Sequence, residues 1–132
     1  MSLELVLLPL RGPEEVGSRS VLCYERLRFD QDYRIFGQLT DMSSHCGSGV
    51  DDIPAKPTIR VNPLPPQMWV ETYGEEGIKR TREDPYGDEL TFVYAQQLKK
   101  LKLPRDSSPK NRALKAFVDA LPGDTPIILE WR

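Results

Sequence analysis

The chain predicts an α+β fold, a single domain over residues 1–132 with a mostly antiparallel sheet, and three observations carry that reading. Between residues 68 and 94, β-branched and aromatic runs alternate with tight-turn residues, a pattern of antiparallel hairpins. Ser108-Pro109 opens an amphipathic segment that Pro122-Gly123 closes, with the capping residue and first-turn proline of an α-helix. A length of 132 residues holds one hydrophobic core and is short for two.

In order along the chain, Leu3-Glu-Leu-Val-Leu-Leu-Pro-Leu10 has apolar residues at both parities and reads as a strand buried on both faces. A Gly/Pro connector over 11–18 leads to residues 20–29, where Val21, Cys23, Leu27 and Phe29 share one parity and predict a second strand. Asp30 is a candidate cap for a short helix from about Gln31 to Thr40, with Tyr33, Phe36 and Leu39 at helical spacing. Residues 42–56 carry Ser43, Ser44, Gly47, Ser48, Gly49, Asp51, Asp52 and Pro54, too polar and Gly-rich to bury a face, and predict a long irregular loop. Thr58 to Val61 reads as a brief edge strand before Pro63, Pro65 and Pro66 impose an extended path. Met68 to Tyr73, the Gly-Glu-Glu-Gly turn at 74–77, Ile78 to Arg82, the Asp84-Pro-Tyr-Gly87 turn and Glu89 to Tyr94 then predict three consecutive antiparallel strands. Two C-terminal helices follow. The first spans Ala95 to Leu101, and the second is expected to dock through Leu114, Phe117, Val118 and Leu121. Pro126 to Trp131, without a clean polar face, reads as a central strand.

Composition narrows the function classes. A formal net charge of −2 argues against a general duplex nucleic-acid binder, which neutralises phosphates with an excess of Lys and Arg. The apolar N-terminal run holds Glu4, lacks a basic leader and is too short to span a bilayer, so neither membrane nor secretion is expected. Cys23 and Cys46 are not paired by any spacing rule, and reduced thiols in a cytoplasm are the expectation.

Four groups of residues could carry chemistry. His45, the sole histidine, adjoins Cys46, but neighbours in extended backbone point apart and the chain offers no third orienting group in sequence. A zinc site from Cys23, His45 and Cys46 with Asp51 or Asp52 matches no ligand framework, and the acidic residues Asp30, Asp32, Asp41, Asp51 and Asp52 lack a calcium-loop pattern. No metal and no cofactor is therefore expected. The basic run Lys99, Lys100, Lys102, Arg105, Lys110, Arg112 and Lys115, against Asp106 alone, reads either as a solvated helix face or as a surface that steers anions. In the hairpin region, Trp69 and Tyr73 lie opposite Lys79, Arg80 and Arg82, with Tyr86 close behind. Aromatic faces and guanidinium groups so interleaved can stack a base and clamp a phosphate, and can equally cover a sheet with snorkelling Arg stems.

Asp30-x-x-Tyr33-x-x-Phe36, together with Asp84-Pro-Tyr-Gly-Asp-x-Leu-Thr91 and Ala95-x-x-Leu98, resembles patterns in small uncharacterised proteins of bacteriophages and related mobile elements. The resemblance covers the middle of the chain and implies no established activity. It implies a non-catalytic accessory or counter-defence protein, in the host cytoplasm if phage-encoded, that engages a host protein or a small anionic ligand such as a signalling nucleotide. Trp69, Tyr73, Arg80, Arg82 and Tyr86 are the candidate contact residues. Two rival readings are a small nucleotide-directed hydrolase using His45 with Asp51 or Asp52, and a structural subunit that forms homo-oligomers through a sheet edge.

Overall fold

The computed structural model describes residues 3–9, 26–42, 53–66 and 68–132. Among them, seven strands and three helices form the α+β domain that the sequence predicts. β1 (Leu5–Pro9), β2 (Leu27–Arg28), β3 (Asn62–Pro63), β6 (Thr91–Tyr94) and β7 (Pro126–Trp131) make one antiparallel sheet in the order β2-β1-β7-β6-β3. β7 is central as expected, paired with β1 from Leu5↔Trp131 to Pro9↔Ile127 and with β6 from Thr91↔Leu129 to Tyr94↔Pro126.

Strand alternation explains why these apolar runs lack a polar face. Leu5, Leu7, Ile127, Leu129 and Val93 point into a core completed by Ile35, Phe36, Leu98 and Val118 from the helices. Val6, Leu8, Ile128 and Phe92 point the other way, onto Leu64, Met68, Val70 and Leu90. The sheet is thus a middle layer. Its second face is covered by Leu64, Met68, Val70 and Leu90, around the hairpin β4 (Val70–Gly74) and β5 (Gly77–Thr81); of the long loop expected on that side, residues 43–52 lie outside the described residues.

The hairpin region, the first helix, the edge strand and the docking face of the last helix each depart from expectation. The expected three-strand meander splits, because β4 and β5 pair only with each other while β6 joins the main sheet. A single Glu83↔Glu89 bridge and the Leu90 N–H donating to the Arg82 carbonyl at 2.8 Å link the two parts. Between them, Asp84 Oδ1 accepts from the amides of Tyr86 and Asp88 at 2.9 and 3.0 Å, and Gly87 takes φ +87°, so the Asp-Pro-Tyr-Gly turn bends the chain away from the hairpin.

The first helix is shorter than expected, and its cap moves. α1 (Tyr33–Phe36) is capped by Asp32, whose carboxylate accepts from the Arg34 amide at 3.0 Å. Asp30 is engaged elsewhere, with its carboxylate accepting from Ser108 Oγ at 2.7 Å. Turns continue the segment to Thr40, and Gly37 lets Ile53 approach so closely that a Cβ would lie 3.0 Å from its Cγ2. The edge strand falls on Asn62–Pro63 rather than 58–61, because Thr58 and Ile59 donate their amides to the Gln38 carbonyl instead. Of the strand expected over 20–29, β2 is the described part; residues 20–25 lie outside the described residues.

α2 (Ala95–Leu98) leads to α3 (Pro109–Ala120), which begins as its sequence predicts, with Ser108 Oγ accepting from the Asn111 amide at 3.1 Å and Pro109 at the first position. Its docking face is rotated. Val118 and Asn111 are buried, Leu114 and Leu121 are half-buried, and Phe117 is 37% exposed. Asn111 sets the rotation: its carboxamide accepts from the Asp30 amide at 2.8 Å and donates to the Asp30 carbonyl at 3.1 Å, and the 3.6-residue period from there selects Leu114 and Val118 and leaves Phe117 outside.

Candidate anion-binding groove

The residues singled out by sequence are divided by the structure. Trp69 and Arg80 do meet, with the guanidinium carbon 5.0 Å from the indole centroid, and Trp69, Arg80, Thr81 and Arg82 line a shallow concavity of about 230 Å³. Tyr73 pairs with Ile78 in the hairpin register; its side chain lies outside the described residues. Tyr86 is 42% exposed and lines a separate hollow with Asp41, Asp84, Asp88 and Glu89. That hollow is lined by four carboxylates and is separate from the one that Trp69 and Arg80 line. His45, Cys46, Asp51, Asp52 and Cys23 lie outside the described residues.

Arg82 serves the fold. Its guanidinium donates to the carbonyls of Leu64 at 3.0 Å, Pro65 at 2.6 Å and Met68 at 2.5 Å, and to Glu89 Oε1 at 2.8 Å. The fork clips the 64–68 segment against the hairpin's exit, which holds Leu64 and Met68 over the sheet. Arg82→Ala is expected to lower the unfolding free energy by about 2–3 kcal/mol, and Arg82→Lys to recover little of it, because an ammonium cannot reproduce the planar fork. Denaturant unfolding of both variants measures this.

A larger concavity, about 740 Å³, opens where α1 meets the segment after α2. Its wall carries Arg34, Gln38, Thr58, Lys100, Lys102, Arg105 and Asp106, with apolar surface from Pro54, Ile59, Leu103 and Pro104. Gln38 builds it. The side chain is 7% exposed and donates from Nε2 to the carbonyls of Lys102 at 2.8 Å and Arg34 at 3.0 Å, while its Oε1 accepts from the Lys102 amide at 2.9 Å. Its backbone carbonyl accepts from Thr58 and Ile59. One residue therefore ties three segments of the wall together.

The basic run divides by task. Lys99 Nζ donates to the Leu121 carbonyl, Lys115 Nζ to the Lys99 carbonyl and Asp119, and Arg112 to the carbonyls of Ser107 and Arg105. These cations fasten the two C-terminal helices. Lys100, Lys102 and Arg105 instead face the groove, and among the described residues none of the three side chains has a hydrogen-bonding or ionic partner. Arg34 is anchored: Nε and Nη2 donate to the two Asp32 oxygens at 3.0 Å each, and Nη1 meets Asp106 Oδ1 at 2.9 Å. The hydrogen bonds it donates to Asp32 first, then to Asp106, raise its already high pKa further.

Sequence reasoning missed Arg34 and Gln38 as wall residues. Their four-residue separation on the predicted helix was the available signal, since it puts both on one side. No group of three or more His, Cys, Asp or Glu among the described residues could hold a metal ion, and no helix there is long and apolar enough to cross a membrane. No family model, curated protein or solved structure matches this chain.

Proposed function

We propose that the protein binds a small anionic ligand without transforming it, in the groove walled by Arg34, Gln38, Lys100, Lys102 and Arg105. The observation that carries this reading is the set of three cations, unpartnered among the described residues, around one concavity of about 740 Å³, a volume within the range of small-molecule sites. Cations with no ion-pair partner among the described residues, on a chain of net charge −2, create a local positive potential that attracts anions against the mild overall field. The apolar patch from Ile59, Leu103 and Pro104 suits a ligand with an organic portion, such as a nucleotide. The bacteriophage resemblance gives this binding a role, sequestration of a signalling nucleotide in the host cytoplasm as an accessory or counter-defence factor. An acidic partner protein is the competing outcome.

Titration calorimetry with pyrophosphate and adenosine 5′-monophosphate tests the reading. Wild type is expected to bind, more weakly at raised salt, and Lys102→Gln with Arg105→Gln together to lose about tenfold or more in affinity with unchanged thermal unfolding. Absence of binding by the wild type overturns it. Unchanged binding by the double variant, with a loss in Arg80→Gln, moves the site to the Trp69–Arg80 hollow.

A further inference from the structure

Among the described residues, Arg34 is the one cation of the groove shared between two carboxylates, and the two are unequal. Asp32 is nearly enclosed, with its side chain 12% exposed, engages Arg34 through two parallel bonds, and also caps α1 through the Arg34 amide. Asp106 lies at the groove's rim with its side chain 75% exposed, reaches Arg34 through Nη1 only, and makes no other side-chain contact among the described residues. The first pairing is built into the helix cap. The second is an exposed ion pair of the kind that contributes little.

Resting on the anion-binding reading above, we propose that Asp106 is a built-in competitor for the ligand, that its carboxylate stands where an anionic group docks on Arg34 Nη1, and that the ligand's anionic group is a phosphoryl dianion. An anion entering the groove meets Lys100, Lys102 and Arg105, which have no ionic partner among the described residues, but it gains Arg34 Nη1 only by displacing Asp106. A carboxylate or phosphodiester brings one negative charge and exchanges one ion pair for a like one. A phosphomonoester brings nearly two charges and three terminal oxygens, so it replaces Asp106 at Arg34 and still presents charge and acceptors to the neighbouring cations. Asp106 thereby sets a threshold: displacing it costs every anion alike, and the extra charge of the dianion leaves it a net gain. Asp32 keeps the guanidinium plane fixed throughout, so Nη1 stays aimed into the groove whether Asp106 is engaged or released.

The experiment compares wild type with Asp106→Asn, which keeps side-chain shape and removes the charge, against adenosine 5′-monophosphate and dimethyl phosphate by calorimetry at pH 7.5. Asp106→Asn is expected to tighten adenosine 5′-monophosphate by about threefold to tenfold with unchanged thermal unfolding, the scale of an exposed ion pair. Dimethyl phosphate is expected to bind wild type at least tenfold more weakly than the monoester and to gain from Asp106→Asn as well. Lowering the pH through about 6, where the monoester takes up a proton, should weaken its binding and leave dimethyl phosphate unchanged. If adenosine 5′-monophosphate binds through Lys102 and Arg105 but Asp106→Asn binds it no tighter, or if dimethyl phosphate matches it on wild type, the competitor proposal is overturned while the groove stands. If neither protein binds either compound, the groove reading itself falls.

Discussion

Phe36→Ala is expected to remove about 3–5 kcal/mol of unfolding free energy, a large part of the margin of a domain this size. Phe36 is fully buried, packs edge-on against Trp131 with ring centroids 5.6 Å apart, and touches Tyr33 at 6.1 Å. It joins α1 to the end of the central strand, so its loss opens a cavity between a four-residue helix and the sheet, and a helix of one turn has little local stability with which to collapse into the void. Denaturant unfolding should show a lower midpoint at unchanged slope. An unchanged midpoint would remove Phe36 from the core.

Gln38→Leu is expected to cost about 2–4 kcal/mol and, unlike Phe36→Ala, to damage the groove directly. Leucine matches the volume but leaves the Lys102 amide and carbonyl and the Arg34 carbonyl without the bonds that the carboxamide supplies. Lys102 then loses the register that points it into the groove. Phosphate-ester affinity measured well below the unfolding temperature should therefore fall by about tenfold in Gln38→Leu, and retained affinity at reduced stability would show that the carboxamide serves the fold alone.

What the sequence made legible follows from where its signals are local. Ser108-Pro109 fixed the start of α3 because a cap acts within one turn, and the two-parity apolar runs of Leu5–Pro9 and Pro126–Trp131 marked strands covered on both faces. The rotation of α3 was not legible. Phe117 fits an apolar stripe as well as Val118 does, and the decision lies with Asn111, whose partner Asp30 is far away in sequence. The meander failed for a like reason: turn residues between strands say that the chain reverses, not which sheet the next strand joins.

The candidate site was legible only in part. The run from Lys99 to Lys115 was visible as charge, but its division into fasteners and groove cations depends on carbonyls at Leu121, Ser107 and Lys99 that only the helix packing brings within reach. Arg82 was visible as a guanidinium among aromatics, and its carbonyl acceptors at Leu64, Pro65 and Met68 come from a Pro-rich bend whose path the sequence leaves open. Gln38 carried only its spacing from Arg34, since a glutamine on a short helix is ordinary until the segment after α2 that it grips is known.

The central place of β7 carries a consequence for synthesis. Leu5 to Pro9 pair along their whole length with Ile127 to Trp131, and β6 reaches β1 only through β7 between them. While the ribosome is still making the α3 segment, β1 is an apolar strand whose main neighbour does not yet exist, and every contact it will make across the sheet is of long sequence separation. Such topologies close late and slowly. Until β7 is made, β1 has only the short β2 to pair with, and its other edge is open to chaperones or to neighbouring chains.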